Sequence, residues 1–362
     1  MIKYSIGLGF TSNCNMNCPF CYSKNKRKDS RDLSIDDWIS FVHTNHVYIK
    51  NINYGTGENT TSEDWYSFVL YVREKYPEIR QALTTNGSLA YITRNDIRKK
   101  KILTECIDEI DVSLDFGEQN LHNYYRGNPN AYSWALETLE YCNKYGKDPT
   151  IVMLGIDDTL TENNLSKIFE IAKVYNAKVR INLYRPVDLK SKIKPVSFEK
   201  IECLFHWINR NQIFLSVSDP LFSSLHFENY VKRDPSGISS VRIIQNGDIF
   251  PSTYLLSPEL KMGNIKDFEF SKINNNIIRN MIKQISLPLF CEDCPIHDSC
   301  GGGVLDRRYL WYGSFEECDP YCPAKNGISK ANIQSMDRYL ISDKSFNSVH
   351  DGYLPTLFFG FK

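Results

Sequence analysis

The sequence has no surplus of charge of either sign: Lys plus Arg number 43, and Asp plus Glu number 43, in 362 residues. A chain that binds a nucleic-acid backbone usually carries a basic excess, so the expectation is no nucleic-acid partner. Long apolar runs are also missing. None approaches the ~20 residues that span a bilayer, so no membrane is expected. No signal peptide opens the chain, which makes the expected location cytoplasmic. In that compartment, cysteines at metal spacing are ligands rather than disulfides. What is present is a chain long enough for one large domain plus a small one, with a hydrophobic content of 42% to build a core.

Three of the eleven cysteines lie within Cys14-Asn-Met-Asn-Cys18-Pro-Phe-Cys21, just after the apolar run Ile6 to Phe10. Three thiolates on one loop can hold three irons of a [4Fe–4S] cube and leave the fourth iron for a small molecule. A structural zinc site wants four ligands in a closed tetrahedron, and no nearby His or Cys completes one. This C-x3-C-x2-C stretch resembles the signature loop of the radical S-adenosylmethionine (radical SAM) enzymes. The resemblance implies that SAM chelates the open iron through its amine and carboxylate. An electron then cleaves it to a 5′-deoxyadenosyl radical. It also implies that Phe20, just before the third cysteine, lies against the adenine.

From residue 1 to about 220, apolar strand-like runs alternate with amphipathic helical stretches, which argues for a parallel sheet with covering helices. Strands are expected at 4–10, 47–54, 81–85, 109–115, 149–155 and 178–183, and helices at 34–44, 62–75, 93–107, 131–145 and 161–175. Periodicity alone says α/β. The radical SAM resemblance implies a partial (β/α)6 TIM-type barrel, with working residues at the C-terminal ends of its strands.

Several segments fall at those ends. Gly55-Thr56-Gly57-Glu58-Asn59 is similar to the family's G-G-E-P motif, which holds the methionyl amine, with Thr56 and Asn59 as departures. Taken alone it is a glycine turn. Thr84-Thr85-Asn86-Gly87 is a turn signal by itself, and in the family such a segment lies near SAM. Ser113 and Asp115 resemble an S-x-D segment that reaches the ribose or carboxylate of SAM, whereas alone Ser113 reads as a buried hydroxyl. Arg126 matches an arginine that pairs with the SAM carboxylate in two-pronged fashion, against the reading of a surface Arg before a turn. Tyr184 and Arg185 end the sixth strand, where the family places adenine and substrate contacts. Cys106, Cys142 and Cys203 read as small core hydrophobes.

A second cysteine group follows an Asn246-Gly247 hairpin signal and Met262-Gly-Asn-Ile265. It comprises Cys291, Cys294, Cys300, Cys318 and Cys322. By spacing alone this group is iron–sulfur or zinc. The order of features resembles the SPASM/twitch extension of radical SAM enzymes, which carries auxiliary clusters. Ser252 and Val304 stand where that extension has ligands of its first auxiliary cluster. The resemblance therefore implies one auxiliary [4Fe–4S] cluster, held by Cys291, Cys294, Cys300 and Cys322. Cys318 has three readings: the fourth ligand in place of Cys322, a bystander thiol, or a hydrogen-atom donor to a substrate radical.

The expected organisation is a barrel over 1–220, the auxiliary-cluster domain over 236–330 and a tail over 331–362. Most proteins of this build are thought to modify ribosomally made peptides (RiPPs) by crosslinking, epimerisation or backbone excision. The expected partners are a precursor peptide and a flavodoxin- or ferredoxin-like electron donor; since the first strand begins almost at Met1, the leader would need a separate leader-binding protein, the tail or the barrel mouth. The alternative is a twitch-type dehydrogenase or epimerase of a small alcohol or sugar. A non-catalytic iron–sulfur protein and a zinc-stapled binding module are the readings from other classes.

Overall fold

The computed structural model describes residues 2–25, 31–187, 193–226, 233–335, 348–350 and 352–360. Six strands form its parallel centre: β1 (Tyr4–Leu8), β2 (Ile49–Tyr54), β3 (Arg80–Thr85), β4 (Glu109–Ser113), β5 (Pro149–Gly155) and β6 (Lys178–Leu183). They lie side by side in chain order. Helices return the chain between them: α1 (Ile35–Asn45), α2 (Glu63–Lys75), α3 (Ile97–Cys106), α4 (Gln119–Arg126), α5 (Ala131–Lys144) and α6 (Glu162–Val174). Short polar residues start several of these. Ser34 and Asp37 form a reciprocal capping box on α1, and Thr161 caps α6. The expected helix over 93–107 is interrupted because the Asp96 side chain accepts from Lys99 N at 2.9 Å, capping a new start for α3.

The strands read two ways, as their period of two demands. Ile6 and Leu8, Ile110 and Val112, and Val179 and Ile181 point into the apolar layer under the helices. The alternate residues are polar or small: Ser5 and Gly7, Asn51 and Asn53, Asp111 and Ser113, and Arg180 and Asn182. Side chains of this second face bond across strands that are not neighbours. Arg180 Nη2 on β6 donates to Asp111 Oδ2 on β4 at 2.7 Å.

The remaining strands extend the sheet at both edges. After α7 (Phe198–Arg210) come β7 (Phe214–Val217) and α8 (Pro220–His226). The hairpin expected around Asn246-Gly247 is present as β8 (Ser240–Ile243) and β9 (Asp248–Phe250). β8 pairs in parallel with β1, so the barrel sheet runs straight into the C-terminal segment. A two-residue strand, β10 (Gly263–Asn264), ends that edge. At the other edge β11 (Leu357–Gly360) lies antiparallel between β6 and β7.

The residues leading to β11 line the inner face. Ser348 Oγ and Val349 N donate to Glu109 at 2.9 and 2.7 Å, and Asn51 Nδ2 donates to Val349 O at 3.2 Å. The Tyr353 ring sits over Gly7, where an added Cβ would fall 1.4 Å from its hydroxyl. The sequence left open whether this tail packs on the barrel. Its described part does, whereas Phe361 lies outside the described residues. Among the described residues no helix is long and apolar enough to cross a membrane.

Candidate functional site

At the C-terminal ends of the parallel strands lies a cavity of about 200 Å³. Cys14, Cys18 and Cys21 all line it, on the loop that follows β1. Local bonds hold that loop. Thr11 Oγ1 and Ser12 N donate to the Asp32 carboxylate at 2.8 and 2.9 Å. Asn86 Nδ2 donates to Asn15 Oδ1 at 2.7 Å and reaches Cys14 Sγ at 3.7 Å. The Thr-Asn-Gly turn after β3 is therefore a brace for the cysteine loop. Its Gly87 has φ 99°, and a Cβ there would meet the α5 backbone at Ala135 within 2.9 Å.

Opposite the thiols stands an ion pair. Arg126, at the end of α4, donates from Nε to Asp115 Oδ2 at 2.7 Å, and Asp115 Oδ1 accepts from Leu154 N at 2.9 Å. The guanidinium lies 5.1 Å over the Phe20 ring and also bonds the Cys18 thiol. Burial pushes the Cys18 pKa up, and the adjacent Arg126 charge opposes the shift. The Asp115 backbone N–H donates to His122 Nδ1 at 3.1 Å. That bond needs a neutral imidazole, and burial holds the His122 pKa down to about 3.

Of the residues singled out in the sequence for SAM, Phe20, Gly57, Asn86, Ser113, Asp115, Arg126 and Tyr184 line this one cavity. Glu58 does not line it. It is fully buried, and its carboxylate accepts from Thr60 Oγ1 at 2.6 Å, Thr85 Oγ1 at 2.9 Å and Asn86 N at 2.7 Å. Burial raises its pKa and these bonds oppose the rise. Glu58 ties the turn after β2 to the end of β3.

Sequence reasoning missed Tyr22, Thr56, Met153 and Tyr254 in the cavity wall. Tyr22 follows Cys21 directly, which was a usable signal. Tyr254 comes from beyond the hairpin, 71 residues after the end of β6 at Leu183, and nothing local marks it.

The second cysteine group is built differently. Cys291, Cys318 and Cys322 pack together, and all five thiols are buried. Cys318 bonds both Cys291 and Cys322, and Cys300 lies within electrostatic reach of Cys294 and Cys322. None of the five lines the cavity. Cys318, expected as ligand, bystander or hydrogen-atom donor, is 1% exposed and does not line that cavity.

Buried ion pairs surround the group. Arg307 donates to Asp219 at 2.5 Å and to Asp319 at 2.6 Å. Arg185 Nε donates to Asp306 Oδ1 at 2.8 Å, and Ser252 Oγ donates to Asp306 Oδ2 at 3.3 Å. Val304 is fully buried, its backbone N–H bonded to Asp319. The two positions that lack a cysteine thus sit in a closed apolar and ion-paired setting.

The donor sets bear on what they can hold. Among the described residues no three His, Cys, Asp or Glu side chains converge on a single metal ion. A cube presents a separate iron to each thiolate, so three thiols spread along one cavity wall fit a cluster rather than one zinc.

A fold of parallel strands with three loop thiols lining one cavity is a setting for cluster-and-SAM chemistry. Residues 8–171 match the Radical SAM superfamily. Enzymes of that superfamily use a [4Fe–4S] cluster and SAM. The chain is 24% identical to the AdoMet-dependent heme synthase of Methanosarcina barkeri, over 88% of this chain and 95% of that protein. It is 22% identical to the mycofactocin maturase MftC of Mycolicibacterium smegmatis, over 85% of this chain and 80% of that protein. Among solved structures, SuiB of Streptococcus suis bound to S-adenosylmethionine superposes with a TM-score of 0.69. It shares 17% identity and covers 89% of this chain and 77% of SuiB. SuiB has also been solved bound to its precursor peptide SuiA. At that identity the likeness is one of fold.

Proposed function

We propose that this radical SAM enzyme modifies a ribosomally synthesised peptide. The observation that carries the reading is the single cavity that gathers Cys14, Cys18, Cys21 and the Asp115–Arg126 pair. A fold shared with SuiB, a protein seen with its precursor peptide, and the relation to a maturase point the same way. The residues that would hold the first cluster are Cys14, Cys18 and Cys21. Bound there, a [4Fe–4S] cluster would supply the electron for reductive cleavage of SAM.

The protein's part is to bind and orient. Phe20 offers a face for the adenine. Gly57 lets the backbone of its turn come close to the methionyl amine. Asn86 holds the cysteine loop, and Ser113 and Tyr184 present hydroxyls to the cavity. Arg126 offers its guanidinium to a carboxylate, with Asp115 fixing its direction. Glu58 acts behind the wall.

Cys291, Cys294, Cys300 and Cys322 would hold an auxiliary cluster with no open position, in a SPASM/twitch-like domain over 236–330. The barrel occupies 1–220 and the tail 331–362. The thiol inventory, eleven free cysteines, fits a reducing cytoplasm and a flavodoxin- or ferredoxin-like donor.

The test is anaerobic. Reconstituted protein, dithionite and SAM are incubated with short peptides encoded beside the gene, and 5′-deoxyadenosine and peptide mass are followed. Peptide-dependent 5′-deoxyadenosine together with a mass change in the peptide is the expected result. A small-molecule substrate is the second reading, favoured by the relation to a heme synthase. It predicts 5′-deoxyadenosine that no peptide stimulates.

A further inference from the structure

Three described non-glycine residues have positive φ: Thr56 at 135°, Asn176 at 49° and Gln212 at 51°. The last two sit in the ordinary left-handed well just past helix ends. Thr56 lies far outside it, and a β-branched residue there is a backbone outlier that its surroundings must enforce. It also stands in the Gly55-Thr56-Gly57 turn that lines the cavity, so its geometry shapes the site.

The enforcing group comes from the other half of the chain. Arg242, on β8 and 2% exposed, donates from Nη2 to both Gly55 O and Thr56 Oγ1. Its Nη1 reaches Tyr353 Oη at 3.5 Å, and that hydroxyl lies 2.7 Å from Thr253 Oγ1. On the opposite side the turn abuts the cysteine loop. A Cβ on Gly57 would fall 2.3 Å from Asn13 O, and Glu58 N donates to that same carbonyl at 2.7 Å. The turn is held between the loop that carries Cys14 and an arginine of the C-terminal hairpin.

We propose that Arg242 is a positioning residue for the SAM cavity. It grips the Thr56 hydroxyl and the Gly55 carbonyl, and so keeps the turn in a backbone conformation that threonine does not adopt unaided. Thr56 is the handle, and the C-terminal hairpin sets the shape of the N-terminal site. The functional half of this inference rests on the SAM reading above, whereas the structural half does not.

Two readouts separate those halves: hydrogen exchange of the amides of residues 55–58 without SAM, and SAM affinity by calorimetry on reconstituted protein of equal iron content. Arg242→Ala should expose those amides and weaken SAM binding about 10- to 100-fold, the range expected when a strained backbone is released. Adding Thr56→Gly to Arg242→Ala should restore affinity to within about threefold, because glycine adopts the conformation without a handle. Arg242→Lys, which keeps a cation but loses the planar guanidinium and its Nη1 reach to Tyr353, should fall between. If Arg242→Ala does not fold, Thr56→Val tests the same contact: it keeps the shape, removes the hydroxyl and should raise exchange in the turn. Unchanged exchange in these variants overturns the proposal, and so does loss of affinity that Thr56→Gly fails to rescue. If the unaltered protein binds no SAM, the SAM reading falls, while the exchange result still decides the role of Arg242.

Discussion

Cys14, Cys18 and Cys21 stand on a loop and line a cavity, whereas Cys291, Cys294, Cys300, Cys318 and Cys322 stand beside buried ion pairs and line no part of that cavity. The first group has fewer thiols than a cube has irons, and the second has one more. A site that must admit a small molecule needs a missing ligand, a space, and a charge held in place to meet it, as Arg126 is by Asp115. A site that only stores or passes an electron needs none of these. Beside the second group the charges are packed in compensated sets, as Arg307 is with Asp219 and Asp319. The chemistry open to a cysteine group thus depends on its number of thiols and on what lies beside it.

Removing each group in turn should break the comparison most sharply. Cys14/Cys18/Cys21→Ala should abolish 5′-deoxyadenosine formation and leave about four of about eight irons per chain. Cys291/Cys294/Cys300→Ala should lose the other half of the iron yet keep measurable SAM cleavage. Iron and sulfide analysis with mass spectrometry reads both. Loss of all iron in either variant would mean that the sites are not separate.

Within the second group, Cys322→Ser should lose about four irons by the same count, while Cys318→Ser should not. The reverse would exchange the two assignments.

Ion pairs at the two sites should also respond differently. Arg307→Ala leaves Asp219 and Asp319 buried without a cation and should cost about 3–5 kcal/mol of stability in anaerobic urea titration. Arg126→Ala uncovers Asp115 toward a cavity that water can enter. It should cost no more than about 2 kcal/mol, while SAM affinity falls about tenfold.

The smallest effect concerns His122. Its pKa falls from 6.5 to about 3 on folding, so the unfolded chain takes up a proton more readily. Its contribution to stability is therefore complete above about pH 6.5 and is lost as pH falls toward 3. His122→Asn keeps an acceptor for the Asp115 N–H. The drop in Tm of SAM-free protein between pH 7.5 and 5.5 should be smaller in this variant than in the unaltered chain.

Much of this contrast was legible in the sequence because it lies in local patterns. The apolar–polar alternation in Glu109-Ile-Asp111-Val-Ser113 marked a strand with one face in the core, and Cys14 to Cys21 declared itself by spacing. The hairpin at Asn246-Gly247 had its turn chemistry written out. What stayed hidden depends on contacts between distant segments. Nothing near Leu357-Phe-Phe-Gly360 says that it pairs with β6 and β7, and nothing near Arg242 says that it reaches Thr56. Glu58 was read as a ligand contact from its motif. Its bonds to Thr60, Thr85 and Asn86 show that the same residue can serve a site from behind the wall.

The most direct test of one open and one closed cluster is Mössbauer spectroscopy of protein reconstituted with ⁵⁷Fe, recorded before and after SAM is added. The account predicts about eight irons per chain, in two equal clusters. SAM should alter a single iron site of one cluster, and the spectrum of Cys14/Cys18/Cys21→Ala should not respond. SAM-dependent changes in both clusters, or in neither, would contradict it.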